Sequence, residues 1–244
     1  MQGNSKRSPC TSSTNLLIVG NYMMKLSKET TEILKNFASI NPSLVFNSGS
    51  IQKTVSPQKT VLARANIKES FDKEFAIYDL TQFISTITMF DDADISLGDD
   101  SATISNGRAK ASIRYAKAEL IQSPPSKDIN LPSQDIKFKL DATVLQSALR
   151  AVGVLSVPEI AFIGKNGKSY IAAIDSHNQG SNTFENEVGE AAEKYIMIFK
   201  VDNLNLLNRN YNVTISSKGI AHFESESGDI EYWIATETGS KYGE

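Results

Sequence analysis

Four times along this chain a short apolar stretch runs directly into a helix-capping residue and then into a segment of helical periodicity. The caps are Ser27, Asp79, Asp141 and Asp202, separated by 52, 62 and 61 residues. Ser and Asp suit such positions because their side-chain oxygens accept from the free N–H groups of a first helical turn. Segment 27–40 carries apolar Ile33, Leu34, Phe37 and Ile40, and segment 79–90 carries Leu80, Phe83, Ile84 and Ile87. Segment 141–155 carries Val144, Leu145, Ala148, Leu149 and Val152, and the short segment 202–210 carries Leu206 and Leu207. Such spacing places one apolar and one polar face on each predicted helix. Alternating, turn-punctuated strands follow, among them 94–97 with 103–105, 160–163 with 170–174, and 213–216, 220–224 and 230–236. The chain therefore repeats strand, capped helix and antiparallel strands, a coarse internal repeat.

Pro124, Pro125 and Pro132 fall between the second and third repeats. Proline lacks the donor that a ladder requires, so this stretch reads as an exposed linker. The expected fold is α+β, with two similar domains at 24–126 and 134–244 joined by a linker at 127–133. Residues 1–23 are expected to be a disordered extension, or to precede the true start, with the fold beginning near Met24. Lys6 and Arg7 ahead of apolar 16–19 have the outline of a signal peptide, but that run is too short and no small-residue cleavage pattern follows.

With 25 basic and 28 acidic side chains the net charge is -3, so any attraction to nucleic acid must come from local segregation of charge. The longest apolar runs fall far short of a membrane span. One cysteine, Cys10, excludes an internal disulfide and suits a reducing cytoplasm.

No catalytic constellation emerges. His177 sits in a polar loop and His222 in a predicted strand, with neither cysteine pairs nor metal-ligand spacing around them. The run 164–169 ends like a phosphate-binding loop, but only two residues separate its glycines and a strand follows it. It reads as a hairpin whose Asn166-Gly167 tolerates positive φ. Asp91, Asp92, Asp94, Asp99 and Asp100 lack the glycine and glutamate of a calcium loop and read as solvated turn carboxylates, as do Glu224, Glu226 and Asp229. No catalytic residue, metal or cofactor is expected.

From Met24 the run Met-Lys-Leu-Ser-Lys-Glu-Thr-Thr-Glu-Ile-Leu-Lys-Asn-Phe-Ala-Ser-Ile-Asn resembles the opening of the sliding clamps of T-even-type bacteriophages. The likeness continues at Phe75-Ala76-Ile77-Tyr78-Asp79-Leu80 with Phe83, at Asp92-Ala93-Asp94-Ile95-Ser96, and more weakly from Leu145 to Val152. It spans most of 24–244. The resemblance implies the DNA-clamp fold, with two strand–helix–strand units per domain, helices lining a ring and antiparallel sheets outside. It also implies a non-enzymatic homotrimer that encircles duplex DNA without reading its sequence. Its partners would be the replicative DNA polymerase, an ATP-dependent clamp loader, and a sigma-like factor and coactivator of late transcription, in the cytoplasm of the infected bacterial host.

The polar faces of the predicted helices fit that reading. They hold Lys28, Lys35, Arg150 and Arg209 among amides and hydroxyls, against only Glu29 and Glu32. Weak, sequence-independent attraction to phosphate suits sliding. With the resemblance, Lys25, Lys28, Lys35, Arg150 and Arg209 are the expected lining residues, Lys25 preceding its cap. Clamps hold clients' apolar tails near the interdomain linker, where this chain has Ile129, Leu131 and Pro132; these either form such a pocket or pin the linker to the sheets. A β-rich virion or host-interaction protein without a DNA role is the competing reading, and the regular interleaving of helices speaks against it.

Overall fold

A computed structural model describes residues 23–125, 127 and 129–243. Residues 1–22, Cys10 among them, lie outside the described residues, so the expected disorder of the extension concerns a segment not described. Met23 is already part of the fold: strand β1 (Met23–Met24) pairs with β6 (Asp94–Leu97).

Three of the four expected helices form where their caps stand. Helix α1 (Lys28–Ile40) starts at Ser27, whose Oγ accepts from the Thr30 N–H at 3.2 Å. Glu69 of β4 (Val61–Phe71) accepts from the Ser27 N–H at 2.5 Å and from the Thr30 hydroxyl. Ile33, Leu34, Phe37 and Ile40 are buried, as their spacing required. Helix α2 (Leu80–Thr88) is capped by Asp79, which accepts from the Gln82 N–H at 2.8 Å. Helix α3 (Ala142–Leu155) starts at Asp141, but that side chain makes no capping bond; Asn210 accepts from the Ala142 N–H at 2.9 Å instead.

The fourth helix does not form. Residues Val201–Asn203 make one 3₁₀ turn, and 204–210 continue as an irregular loop. Asn203, Asn205, Asn208 and Asn210 crowd this segment, and asparagine side chains compete with helical backbone bonds. Asn205 donates to the Asp202 carbonyl at 3.1 Å, and the Leu206 and Arg209 N–H groups bond two residues back, to Leu204 and Leu207, each at 2.8 Å. Leu204, Leu206 and Leu207 are buried nonetheless, so the helix-like apolar spacing serves a packed loop. Tertiary bonds hold it: Asn36 of α1 donates to the Asn205 carbonyl at 2.6 Å and accepts from the Tyr232 hydroxyl at 2.8 Å, while Tyr211 donates to the Leu207 carbonyl at 2.7 Å. Burial pushes the Tyr232 phenol well above its ordinary pKa.

The strands form antiparallel sheets. One runs β1, β6, β7 (Ser101–Ser105), β8 (Lys110–Arg114). Another runs β12 (Phe184–Glu190), β11 (Lys168–Ile174), β10 (Glu159–Lys165), β13 (Tyr195–Lys200), β17 (Lys241–Tyr242). The hairpin joining β10 and β11 turns at Asn166 and Gly167, with φ of 52° and 79°, as the sequence indicated. The six-stranded sheet runs β3 (Gly49–Val55), β4, β16 (Ile230–Ala235), β15 (Ile220–Ser225), β14 (Tyr211–Ser216), β9 (Ile136–Leu140). A short pair, β2 (Leu44–Phe46) with β5 (Phe75–Ile77), completes the set.

The six-stranded sheet crosses the expected domain division. β4 from the first half bonds to β16 from the second, with Leu62 opposite Trp233 and Arg64 opposite Glu231. Each half has its own aromatic cluster. Phe46, Phe71, Phe75 and Phe83 meet in the first, and Phe162, Phe199, Phe223 and Tyr211 in the second.

Candidate functional site

Two surfaces stand out, one on the helices and one on the outer face of the six-stranded sheet. On α1, Lys28 and Lys35 are exposed two helical turns apart, hence on one face, and no carboxylate pairs with either among the described residues. The acidic residues of that helix are engaged elsewhere: Glu29 pairs with Lys68, and Glu32 with Arg209 at 3.0 Å. Helix α2 contributes exposed Thr81, Gln82 and Ser85 and carries no charge. On α3, Arg150 is exposed and donates to the Ser147 hydroxyl at 3.0 Å. Free cations, amides and hydroxyls are thus what these helices present.

The other two lining candidates are placed differently. Lys25 pairs with Asp92 and lies 3.8 Å from Asp94, so its charge is matched locally. Arg209 stands on the loop that replaces the fourth helix, which corrects its expected place on a helical face. Its guanidinium donates to Glu32 and lies 3.6 Å from Asp229; the hydrogen bond to Glu32 raises its already high pKa.

The outer face of the six-stranded sheet holds a cluster that its alternation would assign to solvent. Val55, Leu62 and Trp233 come side by side from β3, β4 and β16, and linker residues Ile129 and Leu131 pack over them with Ile220. Beside Ile129 lies a cavity of about 450 Å³ walled by Val55, Leu62, Ile220, Trp233 and Pro125, with Lys59 and Thr60 at the β3–β4 turn. Its lining is almost wholly apolar, and its size lies within the range of sites for small ligands or peptide side chains. On the other side of Ile129 and Trp233 a polar hollow of about 330 Å³ holds Leu131, Arg64, His222 and Glu231. There Glu231 accepts from Arg64 at 2.5 Å and meets His222 Nε2 at 2.9 Å, while the His222 ring stacks on Trp233 with centroids 4.7 Å apart. Of the three linker residues expected at a client pocket, Ile129 lines the apolar cavity and Leu131 only the polar hollow. Pro132 is exposed and lines neither.

The linker is tied down at its end by Asp135, which accepts from the Ser133 hydroxyl at 2.5 Å and the Ser217 N–H at 2.7 Å. Those bonds hold its carboxyl below the usual range. Sequence reasoning missed Val55, Leu62, Ile220 and Trp233. The available signal was the only tryptophan in the chain, standing between Glu231 and Ala235 on the outward side of its strand. His177 is exposed, and among the described residues no group of His, Cys, Asp or Glu is placed to hold a metal ion.

Helices over antiparallel sheets, with one sheet continuous between two similar halves, define a DNA-clamp fold. A PCNA of A. fulgidus, solved with the C-terminal region of FEN-1 bound, superposes with a TM-score of 0.65 at 14% identity, over 90% of this chain and 98% of that one. The PCNA of Entamoeba histolytica gives 0.64 at 12% identity, over 88% and 97%. Residues 27–121 match the family model of the DNA polymerase processivity factor, and 137–238 that of the gp45 sliding clamp C-terminal region. The sliding clamp of Vibrio phage KVP40 is 35% identical over 222 residues, covering 88% of this chain and 99% of the relative. That of Enterobacteria phage T4 is 31% identical over 229 residues, covering 90% and 99%. The chain belongs to the family of phage sliding clamps, the DNA polymerase processivity factors.

Proposed function

We propose that this chain closes as a homotrimeric ring around duplex DNA and tethers the replicative polymerase, itself performing no catalysis. The observation that carries the DNA-facing part is the set of helical faces. Among the described residues Lys28, Lys35 and Arg150 stand without carboxylate partners, while Glu29 and Glu32 are neutralised by Lys68 and Arg209. A few mobile cations among amides and hydroxyls attract phosphate without fixing a register, which is what sliding requires. Lys25 and Arg209 contribute less to the lining in this proposal, because their charge is already matched.

Ring closure is supported by two open sheet edges of opposite sign. On and just before β8, Arg108, Lys110 and Arg114 are exposed; on β12, Glu185, Glu187 and Glu190 are exposed. An unpaired edge is a template for another chain, and head-to-tail contacts that close on themselves generate rings. The apolar cavity beside the linker is the proposed seat of client tails; the bound FEN-1 region on a clamp of the same fold supports this use. Loading by an ATP-dependent clamp loader, coactivation of late transcription with a sigma-like factor and its coactivator, and action in the cytoplasm of the infected bacterial host complete the proposal.

The test is primer extension on a long template by the phage polymerase, with loader and ATP, with and without this protein. Long products should appear only in its presence, and the double variant Lys28→Glu, Arg150→Glu should shorten them while remaining folded and trimeric. Unchanged products on addition of the protein, together with a monomeric native mass, would favour the interaction-protein reading instead.

A further inference from the structure

Lys59 stands at the lip of the apolar cavity, on the turn 56–60 that joins β3 to β4. Its backbone has φ of 60°, the left-handed region that side chains other than glycine and asparagine rarely occupy. The Lys59 N–H closes the turn on the Ser56 carbonyl at 2.8 Å, and Lys59 itself leads out of it into β4. Glycine would serve the turn better, yet a lysine is there. Its side chain is exposed, and among the described residues its ammonium has no hydrogen bond or ion pair. Neighbouring cations are used: Arg64 holds Glu231. A side chain that bonds nothing in its own fold, on a left-handed residue beside a cavity, points to a role toward a ligand.

We propose that Lys59 selects the client: the peptide seated in the cavity carries an acidic side chain next to its apolar anchor, and Lys59 pairs with that carboxylate. Charge complementarity is the ground for this. The cavity wall of Val55, Leu62, Ile220, Trp233 and Pro125 takes apolar side chains of any sequence and discriminates little among them. One free cation at the rim, next to low-dielectric surface, supplies the missing selectivity. The proposal rests on the reading of the cavity as a client site, and its test separates the two.

Fluorescence anisotropy with the full-length protein would use three labelled peptides. Two are amidated, Ser-Gly-Leu-Phe-Asp-Gly and Ser-Gly-Leu-Phe-Asn-Gly; the third is the Asn peptide with a free carboxyl terminus. The Asp peptide should bind about three- to tenfold more tightly than its Asn counterpart, with the preference fading as salt is raised. Lys59→Gln and Lys59→Gly should abolish the preference, bringing the ratio of Asp- to Asn-peptide affinity to about one. The glycine variant should melt no lower than the parent, because it relieves the left-handed turn. Equal binding of both amidated peptides, or a preference that survives both substitutions, overturns the role of Lys59 and leaves the cavity standing. Recovery of the preference by the free-terminus peptide would show that a chain end is read, and the side-chain assignment falls. Ile129→Ser should weaken all three peptides; if it weakens none, or if none binds the parent, the client site itself is wrong and the proposal goes with it.

Discussion

Gly164 shows how closely the second half is packed. A Cβ there would stand 2.4 Å from the Tyr195 ring and 2.6 Å from the Glu193 carbonyl, and a backbone carbonyl cannot move aside cheaply. Gly164→Ala should therefore destabilise the protein by about 1–3 kcal/mol, measured by urea denaturation. Asn36 is the polar counterpart, joining α1, the 204–210 loop and Tyr232 through two bonds in a setting with little water. Its sequence neighbours mark it as helical and nothing more, since both partners lie far along the chain. Glu29 and Glu32 teach the same lesson: the sequence shows two acids against the basic face, and only tertiary structure shows that Lys68 and Arg209 quench them.

Among the elements, α1, α2 and α3 were legible because cap, periodicity and length agreed. The segment 202–210 offered a cap and apolar spacing, but four asparagines and a turn's worth of leucines were insufficient to nucleate a helix. The strands at 44–71 and 184–190 carried weaker signals, and β12 reads as polar because its only large apolar residues, Phe184 and Val188, are half-buried against the core. On that strand Glu185 and Glu187 share charge with Lys165 and Lys168, whereas Arg108, Lys110 and Arg114 near β8 have no such partners among the described residues. If the proposed ring closes through these edges, reversing one with Lys110→Glu and Arg114→Glu should leave only monomer in native mass spectrometry. Adding Glu185→Lys and Glu187→Lys should restore assembly. Monomers from the first variant that the second leaves unrescued would place the seam elsewhere.

For the whole molecule, the repeat conveyed two halves and a linker, but not the surface between them. Val55 and Leu62 look like ordinary strand residues until β4 pairs with β16 and brings Trp233 alongside. Ile129 was legible as a candidate because the linker was; Pro132, chosen on the same ground, is exposed and lines neither of the two hollows beside Ile129. The cavity belongs to a sheet assembled from both halves, and no local window of sequence contains it.

That sheet has a further consequence for how the chain can be cut. The β4–β16 ladder runs from Ile230 opposite Ala65 to Ile234 opposite Val61, so the halves are held by main-chain bonds that owe nothing to the covalent connection between them. A protease that severs the exposed linker at Lys127 should leave a nicked protein whose two fragments co-elute on gel filtration and part only in denaturant. The cut frees a chain end beside the cavity that Ile129 lines, so it should loosen the proposed client seat while the sheet joining the halves stays intact, separating strap from scaffold.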